Sequence, residues 1–210
     1  ADYVSTVLFP MSQAMHDYHA GGSSMHYVQF ASAFVCNTPA DARAVGALKA
    51  FAPPIAKIWS GAFDRGNSHA TAAAQGVVAL GGEFGGAGDV SIEGIELIET
   101  GMRRFLAYFE VMELPADAPP PPSTRWVEVR GQSDFVYASE RGVYEPLVRL
   151  GDTVEAGLPA ARIHFVENPT RAPVNCHFEA AGMVVCRRAM GRCEPGDCLF
   201  HLAADIPRPM

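Results

Sequence analysis

The chain has 210 residues, of which 49% are hydrophobic and 19% are charged. This composition excludes a mainly disordered protein and leaves room for one medium-sized domain or for a domain with a smaller one attached. The 16 Lys and Arg residues against 23 Asp and Glu residues give a net charge of -7, which argues against binding to nucleic acid or to an anionic membrane.

The first half of the chain predicts strands that alternate with helices. Residues 1–9 have apolar side chains at helical spacing and are predicted to form an amphipathic helix. The predicted strands then span residues 13–19, 27–36 and 77–83, and the predicted helices span residues 39–51, 70–75 and 91–114. Alternation of this kind indicates an α/β layer. The pattern places His19 and Glu83 at the ends of strands.

A proline-rich segment separates this half from the rest of the chain. Residues 115–122 contain five prolines in eight positions, which is typical of a stiff, extended connection. The short alternating runs that follow are punctuated by glycine and proline, as in a small all-β domain. We therefore predict an α/β domain over residues 1–114, a linker over residues 115–123 and a C-terminal β domain over residues 124–210.

The first segment with chemical potential surrounds His19. An imidazole at the end of a strand, followed by Gly21 and Gly22, leaves space for a metal or a ligand to approach the backbone. Asp17 lies on the same face of the predicted strand and could orient the imidazole, as carboxylates behind metal-bound histidines do. The alternative is structural, because a single histidine in a strand more often packs or faces solvent than binds a metal.

The second segment is rich in glycine and contains Glu83. A carboxylate at this position could take a proton from a metal-bound water. The alternative is a solvated side chain in a glycine-rich turn. Nucleotide binding has weak support, because no correctly placed G-x-G-x-x-G fingerprint and no G-x-x-x-x-G-K-S/T motif are present.

The two segments together resemble motifs of a known enzyme family. Residues 16–24 resemble the Asp-x-His-x-Gly-Gly motif, and residues 82–86 resemble the Glu-x-Gly-Gly motif, of the succinylglutamate desuccinylase/aspartoacylase family. Residues 6–11, the predicted helix over 91–114 and the segment 142–157 are similar to its N-acetyl-diaminobutyrate deacetylase-like branch. The resemblance spans essentially the whole chain.

This resemblance implies a fold, a reaction and a set of site residues. It implies a zinc-carboxypeptidase-like α/β domain with a mixed sheet, followed by a small all-β domain that covers the site or serves as an assembly surface in a homo-oligomer. It implies zinc as the cofactor and removal of an acyl group from a small N-acylated amino acid. His19 would be a zinc ligand and Glu83 the catalytic base, while Asp17 would support His19. Gly21 and Gly22 would line the substrate site. Apart from the resemblance, His69 could also lie over a substrate, although a loop histidine that only faces solvent is the commoner case.

One family motif is missing from the N-terminal half of this sequence. The family takes its first two zinc ligands from an H-x-x-E motif near the N-terminus, and no histidine in residues 1–114 has a glutamate three residues later. The one H-x-x-E match, His164 to Glu167, lies in the predicted C-terminal β domain. We therefore expect that the chain corresponds to the C-terminal part of a longer family member, with the N-terminal part of the α/β domain absent. The competing hypothesis is a non-catalytic fragment or pseudoenzyme that binds a small molecule or another subunit.

The cysteines and the apolar runs bear on the cellular compartment. Five cysteines, an odd number without the spacing of a zinc site, favour free thiols. No apolar run reaches the roughly 18 residues of a membrane span, and the N-terminus has no secretion signal pattern. We expect a soluble, cytoplasmic protein.

Overall fold

The computed structural model describes residues 2–35, 38, 40–60 and 67–209. Two short helical segments, Val4–Leu8 and Phe9–Met11, come first, as the amphipathic pattern predicts. The first half then consists of β1 (Ala14–His19), β2 (Met25–Tyr27), β3 (Phe30–Val35), α1 (Asp41–Phe51), β4 (Ile55–Ser60), α2 (Ser68–Ala74), β5 (Val78–Glu83) and α3 (Ile92–Tyr108). The predicted mixed α/β fold is confirmed. None of the helices in these ranges is long and apolar enough to cross a membrane.

The second half is built from strands. These are β6 (Arg125–Val129), β7 (Phe135–Tyr137), β8 (Gly142–Pro146), β9 (Thr153–Val154), β10 (Pro159–His164), β11 (Val174–His177), β12 (Gly182–Arg188), β13 (Arg192–Cys193) and β14 (Cys198–Asp205). Four of them form a separate sheet in the order β11-β10-β8-β13. Cys176, Cys186, Cys193 and Cys198 are free thiols as predicted, whereas Cys36 lies outside the described residues.

A larger, mixed sheet runs through both halves of the chain. Its strand order is β1-β5-β3-β4-β6-β14-β12-β2, with β7 and β9 attached at the side. Strand β1 is parallel to β5, β5 is antiparallel to β3, and β3, β4 and β6 run parallel to one another. The first strand after the proline-rich segment thus extends the sheet of the first half, while the predicted domain boundaries stay a prediction.

The two faces of this sheet are covered differently. Helices α1 and α3 pack on one face around a core that includes Leu48, Phe51, Leu80 and Phe105. The other face carries α2. The strands β6, β12 and β14 extend the same sheet and share a cluster of buried residues with the first half: Phe30, Ile55, Val127, Met183, Val185 and Ala203. Burial of this apolar surface joins the two halves of the chain.

The sequence prediction was wrong at three places in the first half. Strand β4 was not predicted, although Ile55–Ser60 follows two prolines and contains β-branched and aromatic residues. The single strand predicted over residues 27–36 is two strands, because β2 and Val28 bond to β12, whereas β3 pairs with β4 and β5. Helix α3 ends at Tyr108 and not near residue 114.

The close approach of α3 to the loop after β5 requires a glycine. A Cβ at Gly94 would lie against the backbone carbonyl of Phe84, whereas a Cβ at Gly191 would meet nothing within 4 Å. Gly94→Ala should lower the free energy of unfolding by about 1–3 kcal/mol, although alanine has the higher helix propensity. Gly191→Ala serves as the control in urea denaturation. A Gly94→Ala protein that is more stable than the wild type would contradict this packing.

His16 on β1 provides a second test of the core. Its ring stacks on Tyr18 with centroids 4.1 Å apart and packs near Phe51, and both ring nitrogens are buried without a hydrogen-bond partner among the described residues. Burial, followed by the nearby His69, lowers the pKa of His16 to about 3. The unfolded chain therefore takes up a proton between about pH 6.5 and pH 3 that the folded protein excludes.

Stability that depends on neutral His16 should be fully present above pH 6.5 and should be lost as the pH falls towards 3. The loss is several kcal/mol at most, at about 1.36 kcal/mol for each pKa unit. Urea denaturation at pH 7 and at pH 4 gives the free energy of unfolding at each pH. Its decrease from pH 7 to pH 4 should be smaller for His16→Phe than for the wild type. His177→Gln, at an exposed position, should behave like the wild type, and an equal loss in all three proteins would contradict the prediction.

Candidate active site

The two predicted motifs meet at one edge of the large sheet. Strands β1 and β5 are parallel neighbours, and their register places His19 opposite Glu83 and Asp17 opposite Gly81. Residues at the carboxyl ends of adjacent parallel strands share the crevice beyond those ends. The register therefore brings His19 and Glu83 side by side at this edge, while their roles as zinc ligand and catalytic base stay a prediction.

Glu83 is half-buried and is held by the loop that follows β1. Its Oε2 atom accepts a hydrogen bond from the backbone N–H of Gly21 at 2.7 Å. Burial raises the pKa of Glu83, while the Gly21 hydrogen bond, His19 and Lys57 oppose this increase. A fixed carboxylate with a raised pKa is suited to accept and return a proton near neutral pH.

His19 is the more exposed partner. Its Nε2 atom lies 3.1 Å from the Oδ2 atom of Asp17, and the two side chains are 54% and 37% exposed. This contact follows from the two-residue period of a strand, which places residues 17 and 19 on the same face. The carboxylate fixes one nitrogen of the imidazole, and Nδ1 is the other nitrogen that can bind a ligand.

The loop after β1 needs its glycines for two reasons. Gly21 and Gly22 have φ angles of +60° and +57°, in the left-handed region. A Cβ at Gly21 would also collide with the backbone oxygen of Met25 and the ring of Tyr27. The loop is fixed to the segment just after the second motif, because Gly88 donates its N–H to the carbonyl oxygen of Gly22 at 2.8 Å. Contact of Gly21 and Gly22 with substrate stays a prediction.

His69 lies deeper than the sequence indicates. It is the second residue of α2, which Asn67 caps by accepting a hydrogen bond from Ala70. The ring is only 7% exposed, and its Nε2 atom lies 3.2 Å from the carbonyl oxygen of Leu80. A Cβ at Gly81 would collide with this ring. His69 thus packs beside the sheet rather than facing solvent in a loop, and its role in lining the substrate site stays a prediction.

A buried lysine near this site was not predicted from the sequence. Lys57, on β4, is 1% exposed, and its Nζ atom lies 3.8 Å from the ring centre of Phe30 and 4.2 Å from that of Trp59. Phe30 is the cross-strand neighbour of Glu83. Burial lowers the pKa of Lys57 to about 7, although Glu83 opposes this decrease. The two prolines before Ile55–Ser60 and the β-branched residues within it were the signals that could have predicted β4.

The donors at the site fit part of a zinc centre. An imidazole supported by a carboxylate, as in His19 and Asp17, is a typical zinc ligand. A catalytic zinc site usually has three protein ligands, and no group of three His, Cys, Asp or Glu residues in the described ranges could hold a metal ion. The described residues alone therefore do not complete such a site.

Comparison with known proteins connects this geometry to a family. Residues 1–109 match the model of the succinylglutamate desuccinylase/aspartoacylase catalytic domain. The chain is 28% identical over 204 residues to N-alpha-acetyl-L-2,4-diaminobutyric acid deacetylase of Halomonas elongata, covering 97% of this chain and 59% of that protein. The chain thus spans about three fifths of the length of that curated relative.

Two solved structures have the same fold over nearly the whole chain. The apo ectoine utilization protein EutE (DoeB) from Ruegeria pomeroyi is 25% identical with a TM-score of 0.89, and the match covers 97% of this chain and 64% of that one. A succinylglutamate desuccinylase/aspartoacylase from Rhodobacter sphaeroides is 27% identical with a TM-score of 0.89, covering 99% of this chain and 62% of that one. The fold is therefore shared from the first motif to the end of the β-rich half.

Proposed function

This chain belongs to the succinylglutamate desuccinylase/aspartoacylase family, and we propose that it is part of an enzyme that hydrolyses the amide bond of an N-acylated amino acid. The observation that carries the proposal is the pairing of Glu83 with His19 at the ends of β1 and β5. The name of the Halomonas elongata relative supports an acetylated diamino acid as the substrate class.

Glu83 supplies the proton transfers of this reaction. It accepts a proton from the water that attacks the amide carbonyl carbon, and the protonated carboxyl then gives the proton to the departing nitrogen as the C–N bond breaks. The products are a carboxylate and a free amine. The hydrogen bond from Gly21 holds the carboxylate in place during these steps.

Zinc is the cofactor that this proposal implies. His19 would contribute one ligand and Asp17 would orient it, with the other ligands coming from outside the described residues. When bound, zinc would polarise the amide carbonyl and lower the pKa of the attacking water.

The experiment uses the full-length product of the gene that encodes this chain. N-acetyl-2,4-diaminobutyrate, N-acetylaspartate and N-succinylglutamate are supplied with zinc, and release of the free amine is measured. We expect hydrolysis of one of these compounds. If a folded, zinc-treated protein binds such a compound without hydrolysing it, the proposal fails and the non-catalytic alternative replaces it.

A further inference from the structure

A second cavity lies on the far side of β2 from Glu83. Strands β2 and β12 pair so that Tyr27 is opposite Cys186 and His26 is opposite Arg187. The ring centre of Tyr27 lies 5.8 Å from that of Phe30, which is the cross-strand neighbour of Glu83. Tyr27 and the opposite Cys186 therefore lie on the side of the candidate active site. Since successive residues of a strand point to opposite faces, His26 and Arg187 face away from it.

The side chains of this second pair line a cavity of about 510 Å³, which we call the β2–β12 pocket. Its walls come from β2, from β12 and from the segment after β8. The lining residues are His26, Pro146, Leu147, Val148, Arg149, Leu150 and Arg187.

The positive charge in this pocket is not neutralised by the protein. None of the lining residues is acidic, and in the described ranges neither Arg149 nor Arg187 forms an ion pair. Seven other arginines do pair with carboxylates: Arg125, Arg130, Arg141, Arg162, Arg171, Arg188 and Arg192. Asp152 binds the backbone N–H of Arg149 at 2.8 Å and not its guanidinium. In a chain with a net charge of -7, this concentration of cations indicates an anionic ligand.

A buried hydroxyl lies beside Arg187. Tyr144 is 5% exposed. Burial raises the pKa of Tyr144, while the charge of Arg187 and a side-chain hydrogen bond with it oppose the increase. A guanidinium can only donate to the phenol oxygen, and no acceptor for the Tyr144 O–H is present among the described residues. An oxygen of a ligand on Arg187 could accept a hydrogen bond from this O–H.

We propose that the β2–β12 pocket binds a small organic carboxylate, with Arg187 and His26 holding the carboxylate group. The planar guanidinium of arginine matches the two oxygens of a carboxylate, and the apolar side chains of Leu147, Val148 and Leu150 suit an aliphatic body. The pocket is separate from the Glu83 site, but β2, which carries His26, is bonded to the loop after Glu83, since Tyr27 donates its N–H to the carbonyl oxygen of Gly85.

The test measures binding and does not depend on hydrolysis. The full-length protein is titrated with succinate, acetate and inorganic phosphate by calorimetry, in parallel with Arg187→Gln, Arg149→Gln and the control Arg162→Gln. Arg162 lies on β10 and pairs with Glu145. We expect Arg187→Gln to weaken succinate binding about tenfold or more, since it removes a charge-assisted hydrogen bond, and Arg149→Gln to weaken it less. Arg162→Gln should bind like the wild type.

Three results would overturn the proposal. The first is the absence of succinate binding in the wild-type protein. The second is succinate binding that Arg187→Gln and Arg149→Gln leave unchanged, which would place the ligand at the Glu83 site. The third is phosphate binding tighter than succinate binding. If Arg187→Gln does not fold, Arg149→Gln at an exposed position provides the test. Weaker succinate binding by Arg149→Gln supports the pocket, and unchanged binding contradicts it.

Discussion

Glu83→Gln is expected to lower kcat for amide hydrolysis by about 10²–10⁴-fold while leaving the fold intact. The amide of glutamine has the shape of the carboxylate and its oxygen can still accept the hydrogen bond from Gly21. It cannot take up the proton of the attacking water. Rates measured at saturating substrate, together with the melting temperature, separate the lost chemistry from lost structure.

The matched control for this variant is Glu99→Gln on the exposed side of α3. It changes the net charge by the same amount and should keep the wild-type rate. A Glu83→Gln enzyme that retains more than about a tenth of the wild-type kcat would show that another group accepts the proton, because a general base contributes at least about 10²-fold.

Lys57→Met is expected to stabilise the protein at pH 7 by several kcal/mol. A fully buried ammonium group loses its hydration, and the two aromatic rings beside Nζ replace only part of it. Methionine has a similar length and carries no charge, so it can fill the same space. Urea denaturation of the wild type and the variant measures the difference.

The pH dependence of this effect has a defined sign. Burial lowers the pKa of Lys57 to about 7 in the folded protein, against about 10.5 in the unfolded chain. Between about pH 7 and pH 10.5 the Lys57 amine is protonated in the unfolded chain and neutral in the folded protein. The free energy of unfolding of the wild type should therefore rise as the pH increases from about 7 to about 10.5, and fall as the pH is lowered again. At about 1.36 kcal/mol for each pKa unit, the ceiling is about 5 kcal/mol.

Lys57→Met should remove this rise, and the other lysine of the chain provides the control. Lys49 is in the last turn of α1, and Lys49→Met should keep the pH dependence of the wild type. Equal stability of the wild type and Lys57→Met from pH 7 to pH 10 would mean that Nζ is solvated or paired in solution.

Local sequence patterns predicted the candidate site better than the sheet around it. The two-residue period of β1 placed Asp17 and His19 together, and the glycines after β1 and β5 marked the loops that join the two motifs. These features depend on neighbours in sequence, which a pattern can reveal. Lys57 was missed because a lysine in a short apolar run is typical of an exposed strand position.

The long-range pairing of strands had no local signal. Strand β3 pairs antiparallel with β5, although α1, β4 and α2 separate the two strands in the chain. Strand β6 pairs with β4 across the proline-rich segment. Such pairings depend on which apolar faces meet in three dimensions. The cluster that joins Phe30 and Ile55 to Val127 and Met183 illustrates this dependence, because Met183 lies more than a hundred residues after Phe30 and Ile55 in the chain.

The proposal that His19 and Glu83 form one metal-dependent hydrolytic site is tested most directly by zinc content. The full-length wild-type protein, His19→Ala and Glu83→Gln are dialysed against zinc and then metal-free buffer, and bound zinc is measured by elemental analysis. We predict about one zinc per subunit in the wild type and in Glu83→Gln, and a large loss in His19→Ala. Stoichiometric zinc that His19→Ala leaves unchanged would place the ligands elsewhere and contradict the assignment of this site.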